Sequence, residues 1–503
     1  MLVTRSISAA LLAASLLPVG VASAETFDVK ANFDAALDPF APPCVCRLSE
    51  EDPTCTLRAA IQAANACPGH DVVQLLETGP YTLSIPGAGE DDGATGDLDI
   101  LEELSFLGNG EQVRTEVEDR VFDVQVHEGP VDMIGVRITN GDAGSEWGGG
   151  IRVQDSELLL QEVVLDENRA YLGGGLGAYE SHVMVLDSVM HGNAAEYGGG
   201  AALIGAGYQS GSTAIFEGVV FESNTATAYG GGFLTSYVGL DAVGCEVLDN
   251  SAVYNGGGAY LADGAAAPVA VRRSSFVANE AGSEGGGVSM FGEAPNPRLD
   301  ECTFGWNSAM DYGRGGGVGG AGLVERSTFV GNSAVRGGGA SSAFNSNAPE
   351  LVVRTSTFVG NVATHSGGAI DGSGAGDDRA LAEHVTFFNN SASWGAAAYR
   401  TRLHASLVVG PPQSSLCWAT TSDGFNIDTD GSCLGADTDQ TVLDPGLGPS
   451  GTFGGTTLTY SLLASSPAVD AGDPSFCLPE DQAGQPRPSG VRCDVGAFEY
   501  QYP

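Results

Sequence analysis

Between residues 141 and 410 the chain repeats one short pattern of apolar, polar and glycine positions. A large apolar residue stands three before an Asn, and glycines follow five to eight residues after that Asn. The pairs are Leu165/Asn168, Met190/Asn193, Phe221/Asn224, Val247/Asn250, Phe276/Asn279, Phe304/Asn307, Phe329/Asn332, Phe358/Asn361 and Phe387/Asn390. Successive Asn residues lie 25 to 31 positions apart. Between them the apolar residues alternate, as in Thr357-Phe358-Val359, which predicts strands too short and too glycine-bounded for helix. A period near 28 residues over this length predicts stacked coils. The expected fold is all-β: a right-handed parallel β-helix of about 10–13 coils with three short strands per coil. At ~4.8 Å per coil the rod is roughly 50–60 Å long. The glycines serve tight corners. The Asn residues tolerate the left-handed turn conformation, can bond turn backbone through the amide, and are expected to stack as a ladder, with the Phe residues stacked beside them.

A rod of stacked strands needs both ends covered. Residues 25–70 form an N-terminal segment in which Leu57, Ala60, Ile61 and Ala64 share one helical face. That predicts a capping helix starting near Asp52-Pro53 and stopping at Asn65. Residues 71–140 supply the first coils, 141–410 the glycine and Asn repeat, and 411–503 a C-terminal cap. Residues 1–24 read as a secretory signal, with Arg5, an apolar run from Ile7 to Leu17, and Ala22-Ser23-Ala24 before the expected cut. No other run reaches the ~18 apolar residues of a membrane span. The expected location is secreted or cell-surface.

Export makes disulfides plausible for eight of the 10 Cys residues. These are Cys44, Cys46, Cys55 and Cys67 near the start, and Cys417, Cys433, Cys477 and Cys493 near the end. Their connectivity stays open. Cys245 and Cys302 share one repeat register but lie two coils apart, about 9.6 Å by strand spacing, so both are expected as buried free thiols. The charge is lopsided, with 63 acidic against 21 basic residues and a net charge of −42. That excludes nucleic acid as a partner and leaves surface glycans or proteins. The protein is expected to be a monomer.

Candidate chemistry must lie at outward positions that stack from coil to coil. Asp166, His191 and Glu222 do so, two before the Asn in three successive coils. Neighbours would lie ~5 Å apart and the two carboxylates about 9–10 Å, near the spacing of an inverting glycosidase. The next coils place Leu248, Val277 and Gly305 there, which breaks the stack. Trp147, Tyr197 and Tyr229 stand just before glycine runs and form a candidate carbohydrate-stacking strip. Calcium is the metal that suits acidic loops, with Asp428 and Asp430 in a D-x-D-G turn as candidates beside Glu90–Asp92 and Asp377–Asp378. The Cys spacing does not fit zinc, and no Lys-Ser/Thr follows the glycines to make a phosphate loop.

Three stretches resemble known families. The F-x-x-N and Gly-Gly repeats, as in Phe329-Val330-Gly331-Asn332, resemble those of chlamydial polymorphic outer-membrane proteins, which implies an adhesion-type β-helix of pectin lyase-like shape. Residues 44–124 resemble the CSLREA domain. The core reads Cys55-Thr56-Leu57-Arg58-Ala59-Ala60-Ile61, with Gly96-Asp97-Leu98-Asp99-Ile100 and Asp119-Arg120-Val121-Phe122 further on; Thr56 and Ala59 depart from the motif. Residues 452–499 resemble the choice-of-anchor Q region through Ser466-Pro467-Ala468-Val469-Asp470-Ala471-Gly472, Asp481-Gln482 and Cys493-Asp494-Val495-Gly496-Ala497-Phe498-Glu499. Together they imply an exported or surface protein and bring no catalytic set. The function expected is a surface scaffold, adhesin-like or carbohydrate-binding and not an enzyme. The alternative is a polysaccharide lyase or glycoside hydrolase.

Overall fold

The computed structural model describes residues 24–89, 93–207, 209–262, 267–291, 297–343, 350–374, 379–411 and 415–502. The expected signal segment up to residue 23 and the acidic loops Glu90–Asp92 and Asp377–Asp378 lie outside these. One coil shows how the repeat folds. Its strands are Leu176–Tyr179, His182–Leu186, Val189–His191 and Ala194–Tyr197. In His182–Leu186 alternation buries Val183 and Val185, and the strand pairs in parallel register with Thr213–Glu217 of the next coil. Repeated along the chain, this gives a parallel β-solenoid. Among the described residues the first strands make a 13-stranded sheet and the second and third a bent 28-stranded sheet. The three strands expected per coil are present. Seven coils add a fourth after the Asn, as a 7-stranded edge sheet.

The Asn ladder runs unbroken from Asn168 to Asn390. From Asn193 onward, each Asn Oδ1 accepts both the backbone N–H and the Nδ2 of the preceding Asn. Asn193 takes them from Asn168 at 3.0 and 3.1 Å, and Asn361 takes them from Asn332 at 3.0 and 2.9 Å. For Asn279 these bonds come from Asn250 at 3.0 Å each, and its own Nδ2 donates to the Val247 carbonyl at 2.8 Å.

The left-handed conformation that Asn tolerates is not used by the ladder. None of Asn168, Asn193, Asn224, Asn250, Asn279, Asn307, Asn332, Asn361 and Asn390 has a positive φ. The left-handed residue is the one before each. It is Glu167 (φ 54°) before Asn168, Ser223 (φ 56°) before Asn224 and Ala278 (φ 57°) before Asn279. Before Asn193 and Asn361 it is a glycine, Gly192 (φ 65°) and Gly360 (φ 61°). That turn drives the Asn side chain inward. Asn193 and Asn361 are fully buried there, where they satisfy backbone groups that no strand partner reaches.

Each glycine triplet divides its work. The first glycine is left-handed, as Gly198 is at φ 66°. A Cβ on the second would press on the next coil; at Gly199 it would lie 2.4 Å from the Gly231 carbonyl oxygen. The third meets the next coil as well as the ladder, since a Cβ on Gly200 would sit 2.4 Å from the Gly232 carbonyl oxygen and 3.2 Å from the Asn224 amide. Inside, Phe276, Phe304, Phe329, Phe358 and Phe387 stack with centroids 4.2 to 5.5 Å apart. At the other bend, serines cap the strand ends, as Ser327 Oγ accepts from the Cys302 N–H. Cys245 and Cys302 occupy this serine row. Their thiols point at carbonyls of Val243 and Asp300 in the same way. Both are buried and unpaired, as expected.

The ends refine the boundaries. Thr26–Val29 already pairs with Asp71–Leu75, so the first coil begins inside the N-terminal segment. The helix is Leu57–Asn65, and it is capped by Thr56, whose Oγ1 accepts from the Ala59 N–H at 3.2 Å. Asp52 is not the cap; it accepts from Thr54 N–H instead. At the other end the coils run past 410 to Gln440–Thr441. The remainder is less an end cap than a strap folded back along the flank. Gln482 donates to Thr328 and accepts from Thr357, and the Ala497 N–H donates to Thr386. The disulfides are Cys44–Cys67, Cys46–Cys55, Cys417–Cys433 and Cys477–Cys493. No helix of the described residues is long and apolar enough to cross a membrane.

Candidate functional site

Parallel register carries outward side chains into rows, and each candidate row can be tested for what its members touch. Asp166, His191 and Glu222 do stack in adjacent strands. His191 Nδ1 lies 2.8 Å from Asp166 Oδ1. Arg137, which the sequence reading missed, pairs with Asp166 Oδ2 from the preceding coil. Burial pushes the Asp166 carboxyl up, but the bonds from His191 and Arg137 outweigh it and hold the pKa below the usual range. A carboxylate kept ionised by the Arg137 guanidinium and a hydrogen bond to His191 is poorly suited to act as the proton donor of a glycosidase. Arg137, Asp166 and His191 form one polar patch, with Glu222 next in the row.

The aromatic candidates meet a larger cluster. Trp147, Leu172, Tyr197 and Tyr229 are consecutive members of one bridge ladder on the glycine corner. Tyr197 lies 5.7 Å from Tyr229, and Tyr171 packs edge-on against Tyr197 at 5.5 Å. Trp147 reaches Tyr179 at 5.3 Å. Tyr229 then stacks on Tyr260 at 4.9 Å and 20°, and Tyr260 on Phe291 at 6.5 Å and 20°. Tyr254 flanks Tyr229 at 5.8 Å. Tyr171, Tyr254 and Phe291 are 37%, 53% and 44% exposed, so the ring cluster reaches solvent. The sequence showed three of its members because it was read at one register only. Tyr171, Tyr179, Tyr254, Tyr260 and Phe291 come from neighbouring positions of the same corner. Their signal was the density of aromatics from 147 to 291.

In the D-x-D-G turn the two calcium candidates lie close together, near Cys433, which is held in the Cys417–Cys433 bridge. Asp428 Oδ1 accepts from the Gly431 N–H and Thr441 Oγ1, and its Oδ2 from the Cys433 N–H. Asp430 accepts from Ser432 and from the Leu416 N–H. These carboxylates cap the turn that carries the Cys417–Cys433 bridge, and their oxygens are already engaged by N–H and O–H groups.

A second acidic group was not foreseen. Asp97, Asp99 and Asp123 are buried with their carboxylates close together. Arg120 Nη1 bridges Asp97 and Asp123, at 3.1 and 3.2 Å, and Arg152 pairs with Asp123 at 2.6 Å. Burial, then the charges of Asp119 and Asp99, push Asp97 up to about 8. Beside it, buried Arg58 binds Asp34 and the carbonyls of Gly93, Gly96 and Asp97. Arg58 and the Asn65 side chain, which donates to the Asp99 carbonyl, fasten the helix to the first coils, while Arg120 and Asp119 tie those coils to one another. The C-terminal motif behaves alike. Arg487 is buried on Glu499, whose Oε2 also takes the Asp494 N–H, while Asp481 accepts from the Glu499 N–H.

No protein-family model matches the sequence, and no curated protein matches it. Among solved structures, the crystal structure of pectate lyase Pel9A aligns with 95% of this chain and 97% of its own, at 14% identity and a TM-score of 0.25. A likeness at that level does not bear on activity.

Proposed function

We propose that this protein is an exported, non-catalytic β-helix scaffold that binds carbohydrate through the aromatic cluster on its glycine corner. The observation that carries this reading is the chain of contacting rings from Tyr171 through Tyr197, Tyr229 and Tyr260 to Phe291, partly open to solvent, with the Trp147–Tyr179 pair on the same corner. Aromatic faces stack on the apolar faces of sugar rings, and each such contact contributes about 0.5–1.5 kcal/mol. The non-catalytic half rests on Asp166, whose pairing with Arg137 keeps it ionised and so disfavours it as a proton donor. Export is supported by four disulfides in a chain of this size. The end motifs, which resemble CSLREA and choice-of-anchor Q regions, agree with a surface protein and act as fasteners.

A glycan array probed with the purified protein tests the reading. Retention of one or more polysaccharides, weakened by Tyr229→Ala, is expected, with no release of new reducing ends or unsaturated products. Turnover abolished by Asp166→Ala or Glu222→Ala would overturn the non-catalytic reading.

A further inference from the structure

The glycine-corner ladder does not stop at Tyr229. From Tyr229 it continues through Asn255, Glu284, Arg314, Arg336 and Ser366 to Trp394. Trp394 holds the position that Trp147, Tyr197 and Tyr229 hold in their coils. Its ring packs edge-on against Trp418 at 4.7 Å and 63°, and the two are 43% and 47% exposed. Tyr399 is the strand partner of Trp418, and the Arg400 guanidinium lies 6.0 Å from the Tyr399 ring. Two indoles left half-open beside each other are costly in water unless a ligand covers them.

The stretch between the two aromatic stations is polar. Glu284 Oε1 and Ser289 Oγ, from the same coil as Phe291, are buried and have no hydrogen-bond partner in the protein. Ser289 is 1% exposed. Burial pushes the Glu284 carboxyl up to about 7, so near neutral pH a large fraction of it is uncharged and able to donate. Both atoms lie beneath the surface of the corner, so the contacts to a ligand come from the rings at its two stations. The net charge of −42 disfavours a polyanion.

Building on the carbohydrate reading above, we propose that Trp394 and Trp418 form a second sugar-stacking station, and that one uncharged polysaccharide chain lies along the corner, parallel to the rod axis, across both stations. Four coil steps separate Glu284 from Trp394, about 19 Å, and nine separate Trp147 from Trp394, about 43 Å. Only an extended chain can engage both, and doing so turns the second contact into an intramolecular one. That gain is on the order of 100-fold or more in affinity over a fragment that reaches one station.

The test is a size series of uncharged β-glucan and galactomannan fragments, with polygalacturonate as the charged arm, titrated into the full-length protein. Long chains should bind about 100-fold more tightly than short ones, and Trp394→Ala/Trp418→Ala should reduce long-chain affinity to the short-chain level. Trp394→Phe, which keeps an aromatic face, should retain most of the long-chain gain, and unchanged melting excludes misfolding. Equal binding of long and short chains, or an inert Trp double variant beside a weakened Tyr229→Ala, overturns the second station while the carbohydrate reading stands. Preference for polygalacturonate overturns the uncharged ligand. Absence of binding to every glycan at any length overturns the functional reading itself.

Discussion

Replacing Asn279 by Ala removes four hydrogen bonds from the middle of the ladder. Its Oδ1 accepts from the Asn250 backbone N–H and Nδ2, and its Nδ2 donates to Val247 O and Asn307 Oδ1. Two of the partner groups keep a way to pair. Asn250 Nδ2 still reaches Phe221 O, and Asn307 Oδ1 still accepts from the backbone of residue 279. The Asn250 N–H does not, and the site is fully buried. An orphaned buried N–H costs about 1–3 kcal/mol, and the other lost bonds add about 1 kcal/mol net, so the expected loss is about 2–4 kcal/mol. Because each coil is stabilised by its neighbours, a break at this height also uncouples the two halves of the rod. Urea unfolding with the disulfides kept oxidised measures it, and the exposed neighbour substitution Glu280→Ala serves as control within about 0.5 kcal/mol. A loss for Asn279→Ala no larger than that of the control would refute the ladder as a stabilising element.

Further outcomes follow from the same geometry. His384 is fully buried under the strap, stacked on Phe476, with both ring nitrogens unpartnered. Burial, then Arg487 and His404, hold its pKa well below 6.5. The unfolded chain therefore binds the proton more readily, and stability present above about pH 6.5 is lost progressively as the pH falls. Melting temperatures recorded across that range should show the loss in the wild type and a shallower one in His384→Asn. Burial holds the thiols of Cys245 and Cys302 up at about 11 and about 12. Thiol labelling should give no reaction in the native protein and 2 free thiols on denaturation without reductant; rapid native labelling would contradict their place in the serine row. Since Asp428 and Asp430 spend their oxygens on the turn, EDTA and millimolar Ca²⁺ should give the same melting temperature. A rise with Ca²⁺ that Asp428→Asn removes would show that the turn is a metal site after all.

The repeat was legible because its causes are local. Glycine at the corners, Asn at the bend and an apolar residue three before it each answer to contacts one coil away, and that distance is the period itself. The conformation at the bend was not. Asn tolerates the left-handed region, but at Asn193 and Asn361 the preceding Gly192 and Gly360 take it, which frees each Asn to point inward. The fourth strand was not legible either: it alternates in Thr225–Tyr229 but shrinks to two residues in Ser251–Ala252 and Glu280–Ala281, so it leaves no constant pattern in the repeat. Nor was the strap. Its anchors are Thr328, Thr357 and Thr386, which stand before Phe as Thr303 also does, but their partners lie 111 to 154 residues away. The aromatic cluster was half-legible for a related reason. Rings from two sequence registers converge on one corner only once the glycines fold the chain back on itself. The Asp166, His191 and Glu222 row was read correctly as a stack, but its character is set by Arg137, one coil earlier and on the diagonal.

The most direct measurement is calorimetric titration of an array-selected polysaccharide into the wild type and into Tyr197→Ala/Tyr229→Ala. At about 0.5–1.5 kcal/mol per ring, the double variant should bind at least about fivefold more weakly, with an unchanged fold. Equal affinity of the two proteins would contradict the claim that the glycine corner is the binding face.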